Sequence, residues 1–286
     1  MKGLKYTAIV IVYNKKIKDS VTCSCLGKIL TDNFEVIIVD NSTSDMGNMK
    51  ECQVLGYKYI SMGGNKGLSK AYNAAIENTN ADVLILLDDD TEINQKYMEI
   101  LNEAVVNHPD VDIFAPIVYG QDGVIYSPNE FNFIKNKLIK KPEQNVSQER
   151  FNAIASCLAI RKIVFDNYRF NESLFVDQID QYFFCEQRRL GRKFMKIEAI
   201  IQQNFYQRGE ALAPIDAWRR MSLRLVDIMQ HARLMGEIRY IFLGFIKCLG
   251  LTIQIAIKSK SFLVFKNGVY KSLNLFLRKL FIHNRE

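Results

Sequence analysis

Short apolar runs alternate with helical segments over most of the chain. Seven runs combine β-branched and aromatic residues with polar or glycine-containing breaks at their ends, a pattern typical of strands. They cover residues 6–13, 34–40, 56–61, 83–87, 111–118, 151–161 and 194–201. Between them, apolar spacing predicts helices over residues 20–30, 68–78 and 94–107. This alternation predicts a doubly wound α/β fold with a mostly parallel sheet.

Two parts of the chain depart from the alternation. Residues 120–150 are polar and rich in Lys and Asn, which predicts a mobile loop over the site. From Ala217 onward the apolar spacing is helical. We therefore expect an α/β domain over residues 1–215 and a C-terminal helical extension over residues 216–286.

The net charge is concentrated in the C-terminal segment. The 286 residues are 48% hydrophobic and 24% charged, as in ordinary globular proteins, and carry a net charge of +7. Residues 236–286 contain nine Lys or Arg and two Glu, so the first 235 residues are neutral overall. A neutral α/β domain argues against a nucleic-acid partner.

The cysteines and the N-terminal residues indicate a protein of a reducing cellular compartment. None of the six cysteines forms a CxxC pair, which favours free thiols of a reducing compartment over a zinc site. The segment after Met1 runs directly into strand-like sequence, so we expect no signal peptide.

Three consecutive carboxylates, Asp88, Asp89 and Asp90, follow the apolar run at residues 83–87. In open α/β sheets, ligands bind beyond the carboxyl ends of the strands. Carboxylates together with phosphate oxygens are the ligands that hard divalent cations prefer. This pattern indicates a metal-bridged nucleotide diphosphate, and the alternative is an acidic turn that caps the next helix.

Four further motifs accompany the acidic run, which itself forms the motif Leu87-Asp88-Asp89-Asp90. They are Ile11-Val12-Tyr13-Asn14, Val39-Asp40-Asn41-Ser42, Gly63-Gly64-Asn65-Lys66-Gly67, and Leu174-Phe175-Val176-Asp177 followed by Asp180. In this order and spacing, the motifs resemble those of family 2 glycosyltransferases of the GT-A fold, especially the bacterial rhamnosyltransferase-like branch. The resemblance extends from about Thr7 to Arg224.

The resemblance implies a nucleotide-sugar site along the first three motifs. Ile11 and Tyr13 would contact the nucleotide, and Asp40 would accept a hydrogen bond from the base. Asn65 and Lys66 would face the nucleotide, with Lys66 near a phosphate. The alternatives are a core aromatic for Tyr13, a helix cap for Asp40 and a solvated turn lysine for Lys66.

The acidic residues receive the remaining roles. Asp88 would bind the ribose or base side of the donor and also the metal, Asp90 would bind the Mg²⁺ or Mn²⁺ ion, and Asp89 would assist either role. The resemblance makes Asp180 the base that takes the proton of the acceptor hydroxyl, with Asp177 as the second candidate. The alternative is that Asp180 is the N-cap of the next helix, and one residue could fill both roles.

The resemblance assigns weaker roles to four other residues. Ser156 would lie near the donor sugar, or it is an ordinary buried serine. Trp218, Arg219 and Arg224 would contact the acceptor or its phosphates, or they form a solvated helix face.

One departure from the family supports a different hypothesis. Many members carry a histidine near the end of the last strand, where this chain has residues 202–206, Gln-Gln-Asn-Phe-Tyr. Gln203 or Asn204 could substitute weakly for that ligand. Without the histidine, the chain could instead be a catalytically inactive scaffold that binds nucleotide sugars.

The C-terminal segment has the composition of interfacial helices. Residues 240–257 are strongly apolar but contain Lys247, and residues 261–282 mix apolar and basic residues. Basic amphipathic helices at an anionic membrane surface fit this pattern better than spanning helices. The alternative is a helix pair that forms a homo-oligomer or packs on the core.

Together the residues and the resemblance predict a cytoplasmic inverting glycosyltransferase, peripheral on the inner face of the cell membrane. It would transfer a sugar from a nucleotide-diphosphate donor to a lipid-linked or other saccharide acceptor of a bacterial surface polysaccharide. Deoxythymidine-diphosphate rhamnose is the first expectation for the donor, and uridine-diphosphate hexose or galactofuranose is the second. A nucleotidyltransferase would carry a glycine- and lysine- or arginine-rich signature near the N-terminus, which this chain lacks.

Overall fold

A nine-stranded mixed sheet forms the centre of the protein. The structure is a computed structural model that describes residues 3–29, 33–204 and 213–280. The described residues form twelve strands, nine in this sheet and three in a smaller one. They are β1 (Tyr6–Val12), β2 (Phe34–Asp40), β3 (Lys58–Ser61), β4 (Val83–Leu87), β5 (Thr91–Glu92), β6 (Ile113–Tyr119), β7 (Ile125–Ser127), β8 (Asn129–Phe131), β9 (Asn136–Leu138), β10 (Phe151–Asn152), β11 (Leu158–Arg161) and β12 (Phe194–Gln203). The sheet order is β3-β2-β1-β4-β11-β6-β12-β5, with β7 paired to β6.

Strands β3, β2, β1 and β4 are mutually parallel, as the alternation with helices requires. Strand β11 is antiparallel to both of its neighbours, β4 and β6, and β6 is parallel to β12. The predicted α/β fold with a mostly parallel sheet is therefore confirmed, with an antiparallel strand in its middle.

The sheet is buried on both faces because its central strands are apolar throughout. In β1, Val10 and Val12 belong to one core cluster, whereas Ile9 and Ile11 belong to the cluster on the opposite face. This alternation follows from the two-residue period of a strand. Both core clusters are covered by helices, as the uninterrupted apolar runs predict.

The described helices are α1 (Val21–Leu26), α2 (Asn48–Leu55), α3 (Leu68–Glu77), α4 (Gln95–Asn107), α5 (Ile179–Arg189), α6 (Pro214–Leu234), α7 (Ile238–Lys258) and α8 (Phe262–Leu280). Short 3-10 turns occupy Ile17–Asp19 and Lys162–Phe165. Ser20 caps α1 by accepting from the backbone N–H of Cys23, and Asn94 caps α4 in the same way.

Residues 120–150 differ from the prediction of an irregular loop. They contain β7, β8 and β9, and β8 lies between β9 and β10 in a separate three-stranded sheet. The predicted single strand at residues 151–161 is accordingly two strands in different sheets, β10 and β11. Strands of two or three residues are too short to show a recognisable two-residue period in the sequence.

Helices α6, α7 and α8 pack against one another in a C-terminal helical unit. Small residues let their backbones approach closely: a Cβ at Gly244 would lie 2.8 Å from Cβ of Ala232, and one at Gly268 would lie 2.5 Å from Cγ2 of Thr252. By length and composition, α7 is the one helix among the described residues that could cross a membrane. The outer surface of α7 and α8 exposes large apolar side chains, including Phe242, Ile246, Ile253, Ile257, Phe262, Leu263 and Tyr270.

Candidate active site

The predicted motifs meet where the parallel strands end. In the register of the sheet, Val12 lies beside Asp40, and Val10 lies beside Leu87. Tyr13, Asp40 and Asp88 therefore sit at one edge, because the carboxyl ends of parallel strands share an edge. The convergence of these motifs is the first requirement of the expected ligand site.

Ser156 and Gln203 hold the acidic turn, residues 88–90, by hydrogen bonds. Asp88 Oδ2 accepts hydrogen bonds from Ser156 Oγ at 2.9 Å and Gln203 Nε2 at 3.0 Å. The same Gln203 nitrogen donates to Asp90 Oδ1 at 3.0 Å. Ser156 and Gln203 are both buried, so the chain brings β12 and the segment before β11 to the two carboxylates.

Burial, together with mutual repulsion, favours the protonated forms of these carboxyls. Burial raises the pKa of Asp88, although hydrogen bonds from Ser156 and Gln203 oppose the shift. Burial first, and then the charge of Asp88, raises the pKa of Asp90 to about 7. Among the described residues, neither carboxyl forms an ion pair.

Asp89 faces away from this pair. Its carboxylate forms an ion pair with Lys15 at 2.8 Å, and its backbone carbonyl accepts from Ser20 Oγ at 2.8 Å. Thr22 Oγ1 donates to the carbonyl of Asp88 at 2.6 Å. Asp89 and these backbone contacts therefore attach the acidic turn to the start of α1, and Asp88 and Asp90 remain for a ligand.

Asp40 is buried and well satisfied. Its carboxylate accepts from the backbone N–H of Ser42 at 3.0 Å, from Asn48 Nδ2 at 2.8 Å and from the Tyr59 hydroxyl at 3.2 Å. It does not cap α2, whose N-cap is Gly47. A carboxylate has about four lone-pair positions, so one acceptor position is left at Asp40.

The glycine-rich turn contacts both the second motif and the segment that contains Phe175. Asn41 donates to Asn65 Oδ1 at 3.1 Å and accepts from the backbone N–H of Lys66 at 2.7 Å. Gly67 has φ +89°, and a Cβ there would lie 2.9 Å from the carbonyl oxygen of Phe175. Only glycine allows this approach.

The side chains of the first and third motifs differ in exposure. Tyr13 is 49% exposed, so it is not the core aromatic of the alternative interpretation. Lys66 is exposed and Asn65 half-buried. Ile11 is buried in the core beneath the edge. A ligand at the edge can therefore reach Tyr13, Asn65 and Lys66 directly.

Residues 175–178 form a loop that leads into the first two residues of α5, Ile179 and Asp180; we call this segment the 175–180 loop. Asp180 lies in the first turn of α5, and the N-cap is Gln178, so the interpretation of Asp180 as an N-cap is wrong. The backbone N–H of Ala155 hydrogen-bonds to Asp180, and the next residue, Ser156, bonds to Asp88. One short segment thus connects the two carboxyls.

The electrostatics place Asp180 close to Asp88. Burial first, then the charges of Asp88 and Asp177, raises the pKa of Asp180 to about 8. Burial, followed by the charges of Asp88 and Asp180, also raises the pKa of Tyr72 on α3. Tyr72, which has no motif in the sequence, is therefore within electrostatic range of both carboxyls.

Asp177 has a structural environment that differs from that of Asp180. Arg224 Nε donates to its Oδ2 at 2.5 Å. Burial raises the pKa of Asp177, but the charge and hydrogen bond of Arg224 outweigh this, so the pKa is lowered. A carboxylate in a tight ion pair is a poor base, which favours Asp180 over Asp177.

Asp227 on α6 is a site residue that the sequence analysis missed. It is fully buried and accepts the backbone N–H groups of Phe175 at 3.0 Å, Val176 at 2.8 Å and Asp177 at 2.8 Å. No local pattern in the sequence signals this role, because Asp227 lies about 50 residues from its partners within an ordinary helical segment.

The three weak acceptor candidates on α6 have different positions. Arg224 reaches into the site through Asp177. Arg219 is exposed beside Asp216, and Trp218 lies under the ammonium of Lys271. Arg220, one turn before Arg224, shares its helix face and interacts electrostatically with both Arg224 and Asp177.

The metal-ligand candidates form a small set. Within residues 3–29, 33–204 and 213–280, no three His, Cys, Asp or Glu side chains cluster as a metal site. Among the described residues, Gln203 Oε1 is buried and has no hydrogen-bond partner, and it lies next to the two carboxylates that its amide nitrogen joins. A half-turn of this amide would present oxygen to a cation between Asp88 and Asp90, so these residues fit a hard cation. Residues 205 and 206 of the predicted stretch lie outside the described residues.

Sequence comparisons identify related proteins. The sequence model of the family described as "Glycosyl transferase family 2" matches residues 7–169. The chain is 26% identical over 180 residues to the dTDP-rhamnosyl transferase RfbF of Shigella flexneri, with 60% of each chain covered. It is 31% identical over 153 residues to the glycosyltransferase GlyA of Streptococcus pneumoniae serotype 4, covering 50% of this chain and 21% of GlyA. The matches thus span less than two thirds of either relative.

Two solved structures share the fold at low sequence identity. S. aureus TarS 1–349 in complex with UDP has a TM-score of 0.53 and 16% identity, covering 96% of this chain and 89% of that one. The mannosyltransferase PcManGT from Pyrobaculum calidifontis, in complex with GDP-Man and Mn²⁺, has a TM-score of 0.58 and 13% identity, covering 100% and 89%. At these identities the likeness concerns the fold, which is the expected GT-A architecture.

Proposed function

The chain belongs to glycosyl transferase family 2, and from this premise we propose that it transfers a sugar, with inversion, from a nucleotide-diphosphate donor to a lipid-linked or other saccharide acceptor. The observation that carries the proposal is that the metal-ligand candidates and the candidate base lie together at the carboxyl ends of the parallel strands. Asp88 and Asp90 lie at the strand end with no ion pair among the described residues, and the adjacent residues Ala155 and Ser156 hydrogen-bond to Asp180 and Asp88 respectively. Buried carboxyls with raised pKa values in a cleft are typical of catalytic sites.

The donor would lie along the first three motifs. Tyr13 would stack on the base, and the remaining acceptor position of Asp40 would receive the base N–H. Asn65 and Lys66 would face the nucleotide, with the lysine ammonium near a phosphate. Ser156 supports this arrangement because it orients Asp88, which would contact the ribose.

A divalent cation, Mg²⁺ or Mn²⁺, would be held by Asp90, Asp88 and the Gln203 amide together with donor phosphates. When bound, such an ion stabilises the negative charge on the departing nucleoside diphosphate. The structure of PcManGT contains Mn²⁺ together with GDP-Man, and the fold shared with that protein supports a divalent metal here.

Asp180 would act as the base. Its carboxylate takes the proton of the acceptor hydroxyl while that oxygen bonds to the anomeric carbon. The bond from the anomeric carbon to the diphosphate oxygen breaks on the opposite face, and its electron pair leaves with the nucleoside diphosphate. The backbone N–H of Ala155 hydrogen-bonds to Asp180, and the neighbouring Ser156 bonds to Asp88, which supports a base held close to the donor site.

The donor sugar is proposed from similarity. Likeness to RfbF, named as a dTDP-rhamnosyl transferase, supports rhamnose. The TarS structures, which contain UDP and UDP-GlcNAc, support a uridine-diphosphate hexose as the second candidate. A catalytically inactive scaffold is supported by the absence of the family histidine, and the raised pKa of Asp180 beside Asp88 opposes it.

The acceptor and location are proposed from the helical unit. Exposed apolar side chains on α7 and α8, in a segment that carries the net charge of +7, support contact with anionic lipid. We accordingly propose a cytoplasmic enzyme at the inner face of the cell membrane, where a lipid-linked acceptor is accessible.

The deciding experiment is calorimetric titration with dTDP, UDP and GDP and their sugars, each with and without Mn²⁺ or Mg²⁺. We expect metal-dependent binding of one nucleotide, which Asp90→Ala removes and Asp180→Asn preserves. Transfer with the selected donor should be lost in Asp180→Asn. Nucleotide binding without any transfer by the wild type would favour the scaffold, and full transfer by Asp180→Asn would refute the base assignment.

A further inference from the structure

A lysine of the apolar helix α7 places its charged end at the 175–180 loop. Lys247 Nζ donates to Gln178 Oε1 at 2.7 Å and to the backbone carbonyl of Phe133 at 2.7 Å. The ammonium also lies 5.0 Å and 5.4 Å from the ring centroids of Phe131 and Phe133. Two hydrogen bonds and two aromatic faces are the contacts that an ammonium removed from water requires.

The partner of Lys247 has an unusual backbone. Gln178 adopts φ 62°, in the left-handed region, two residues before Asp180. This region is unfavourable for a residue with a long side chain, so surrounding contacts must hold it. As the N-cap of α5, Gln178 makes no side-chain bond to the helix, and its amide points to other partners instead.

The orientation of the Gln178 amide follows from those partners. Gln178 Nε2 donates to Asp177 Oδ1 at 3.0 Å, and a carboxylate in an ion pair with Arg224 can only accept. An ammonium can only donate, so Oε1 faces Lys247. His231 Nδ1, at 3.3 Å from the same oxygen, must then be the protonated nitrogen of its ring.

These contacts connect the helical unit to the base. Lys247 fixes the Gln178 oxygen, and Gln178 Nε2 fixes Asp177, whose backbone N–H is held by Asp227. The described side-chain hydrogen bonds of Gln178 are therefore to Lys247, Asp177 and His231. Without the ammonium, Gln178 would lose its hydrogen bond to Lys247 and would be held less firmly in its left-handed conformation. Gln178 directly precedes the first turn of α5, which carries Asp180.

We propose that Lys247 is a positioning residue for the transfer step: by holding Gln178, it sets the orientation of the first turn of α5 and thus of Asp180. The inference rests on the proposed function of Asp180. It assigns to the lysine of the apolar helix a role inside the protein rather than at a membrane surface. The donor site is untouched by this contact, since the acidic turn is held by Ser156, Gln203 and α1.

The test compares Lys247→Met with Lys266→Met, which removes an exposed lysine from α8. We expect Lys247→Met to lower kcat by about 10- to 100-fold, as displaced catalytic groups do. Its KM for the donor should stay within about twofold of the wild-type value, because only the transition state loses an interaction. Lys266→Met should match the wild type in both constants. An unchanged kcat in Lys247→Met would overturn the proposal.

A second variant separates positioning from folding. Lys247→Met combined with Gln178→Met removes both partners, so no polar group of this pair is left buried without a partner, and stability should recover relative to the single variant. The kcat of the double variant should remain low, because Asp177 and the α5 turn are still unsupported. Recovery of kcat together with stability would show a purely structural role and overturn the proposal. The double variant also carries the test if the single variant does not fold.

Asp180→Asn distinguishes failure of this inference from failure of the proposed function. If Asp180→Asn abolishes transfer while Lys247→Met leaves kcat unchanged, only the positioning role is refuted. If Asp180→Asn transfers normally, the base assignment fails and Lys247 has no base to position.

Discussion

Replacing Asp227 by Ala should destabilise the protein more than replacing Asp216, the other carboxylate of α6. The side chain is fully buried and accepts three consecutive backbone N–H groups of the 175–180 loop, at 3.0, 2.8 and 2.8 Å. The alanine variant leaves all three donors without this acceptor. These donors connect the 175–180 loop to α6 of the helical unit, so the substitution weakens the contact between the loop and that unit.

The magnitude follows from the number of bonds. Each N–H left without a partner costs roughly 1 to 3 kcal/mol, which gives about 3 to 9 kcal/mol for three. The donors are only partly buried, and water can replace some of the lost bonds. Removal of the carboxylate also removes the cost of burying it, a cost reflected in the raised pKa of Asp227. We therefore expect the lower end, a loss of about 3 kcal/mol in the free energy of unfolding.

Equilibrium urea denaturation measures this loss. The matched control is Asp216→Ala, on the same helix, where the carboxylate is exposed and 3.9 Å from Arg219. Its effect should be about 0.5 kcal/mol or less. If Asp227→Ala loses less than about 1 kcal/mol, the loop donors have adequate alternatives and the argument from three hydrogen bonds is wrong.

Two further predictions concern the ionisation of Asp180 and the outer surface of α7. The pKa of Asp180 is raised to about 8, so the folded state keeps a proton that the unfolded state releases above pH 4, and stability falls as the pH rises from about 4 to about 8. Asp180→Asn should therefore match the wild type in urea denaturation near pH 4 and exceed it at pH 8; an equal gain at both pH values would contradict the shifted pKa. Sedimentation with phosphatidylserine vesicles should show binding that Ile257→Asp weakens and Val54→Asp, an exposed apolar residue of α2, does not. Equal effects of the two substitutions would exclude α7 as the contact surface.

The strands that hold the donor motifs were predictable because each is an uninterrupted apolar run. Residues 34–40 and 83–87 coincide with β2 and β4, and the first ends in Asp40 while the second leads directly into Asp88. Their period and composition reflect burial on two faces, which is a local property. The β7–β10 strands were missed because each is only two or three residues long, too short to show a two-residue period.

The residues that hold the 175–180 loop were not predictable because they lie 50 to 69 residues from their partners. Lys247 interrupts an apolar helix, so the sequence suggested an interfacial or packing role for that segment. Its partner Gln178 lies 69 residues earlier and has no motif of its own. Gln203 was recognised only as a substitute for an absent histidine, whereas the structure places its amide between Asp88 and Asp90. Tertiary contacts of single polar residues leave no periodic signal.

The dependence of the 175–180 loop on α6 and α7 also sets an order of events during protein synthesis. Ribosomes add about 5 to 20 residues per second, so the 69 residues between Gln178 and Lys247 take roughly 3 to 14 s to appear. Throughout that interval the parallel strands and the glycine-rich turn can already assemble on the nascent chain. The segment that carries Asp180 still lacks its anchors, first Asp227 and then Lys247. A ribosome-bound chain would thus form the proposed donor site before the proposed base is anchored, and would bind a sugar donor without transferring the sugar.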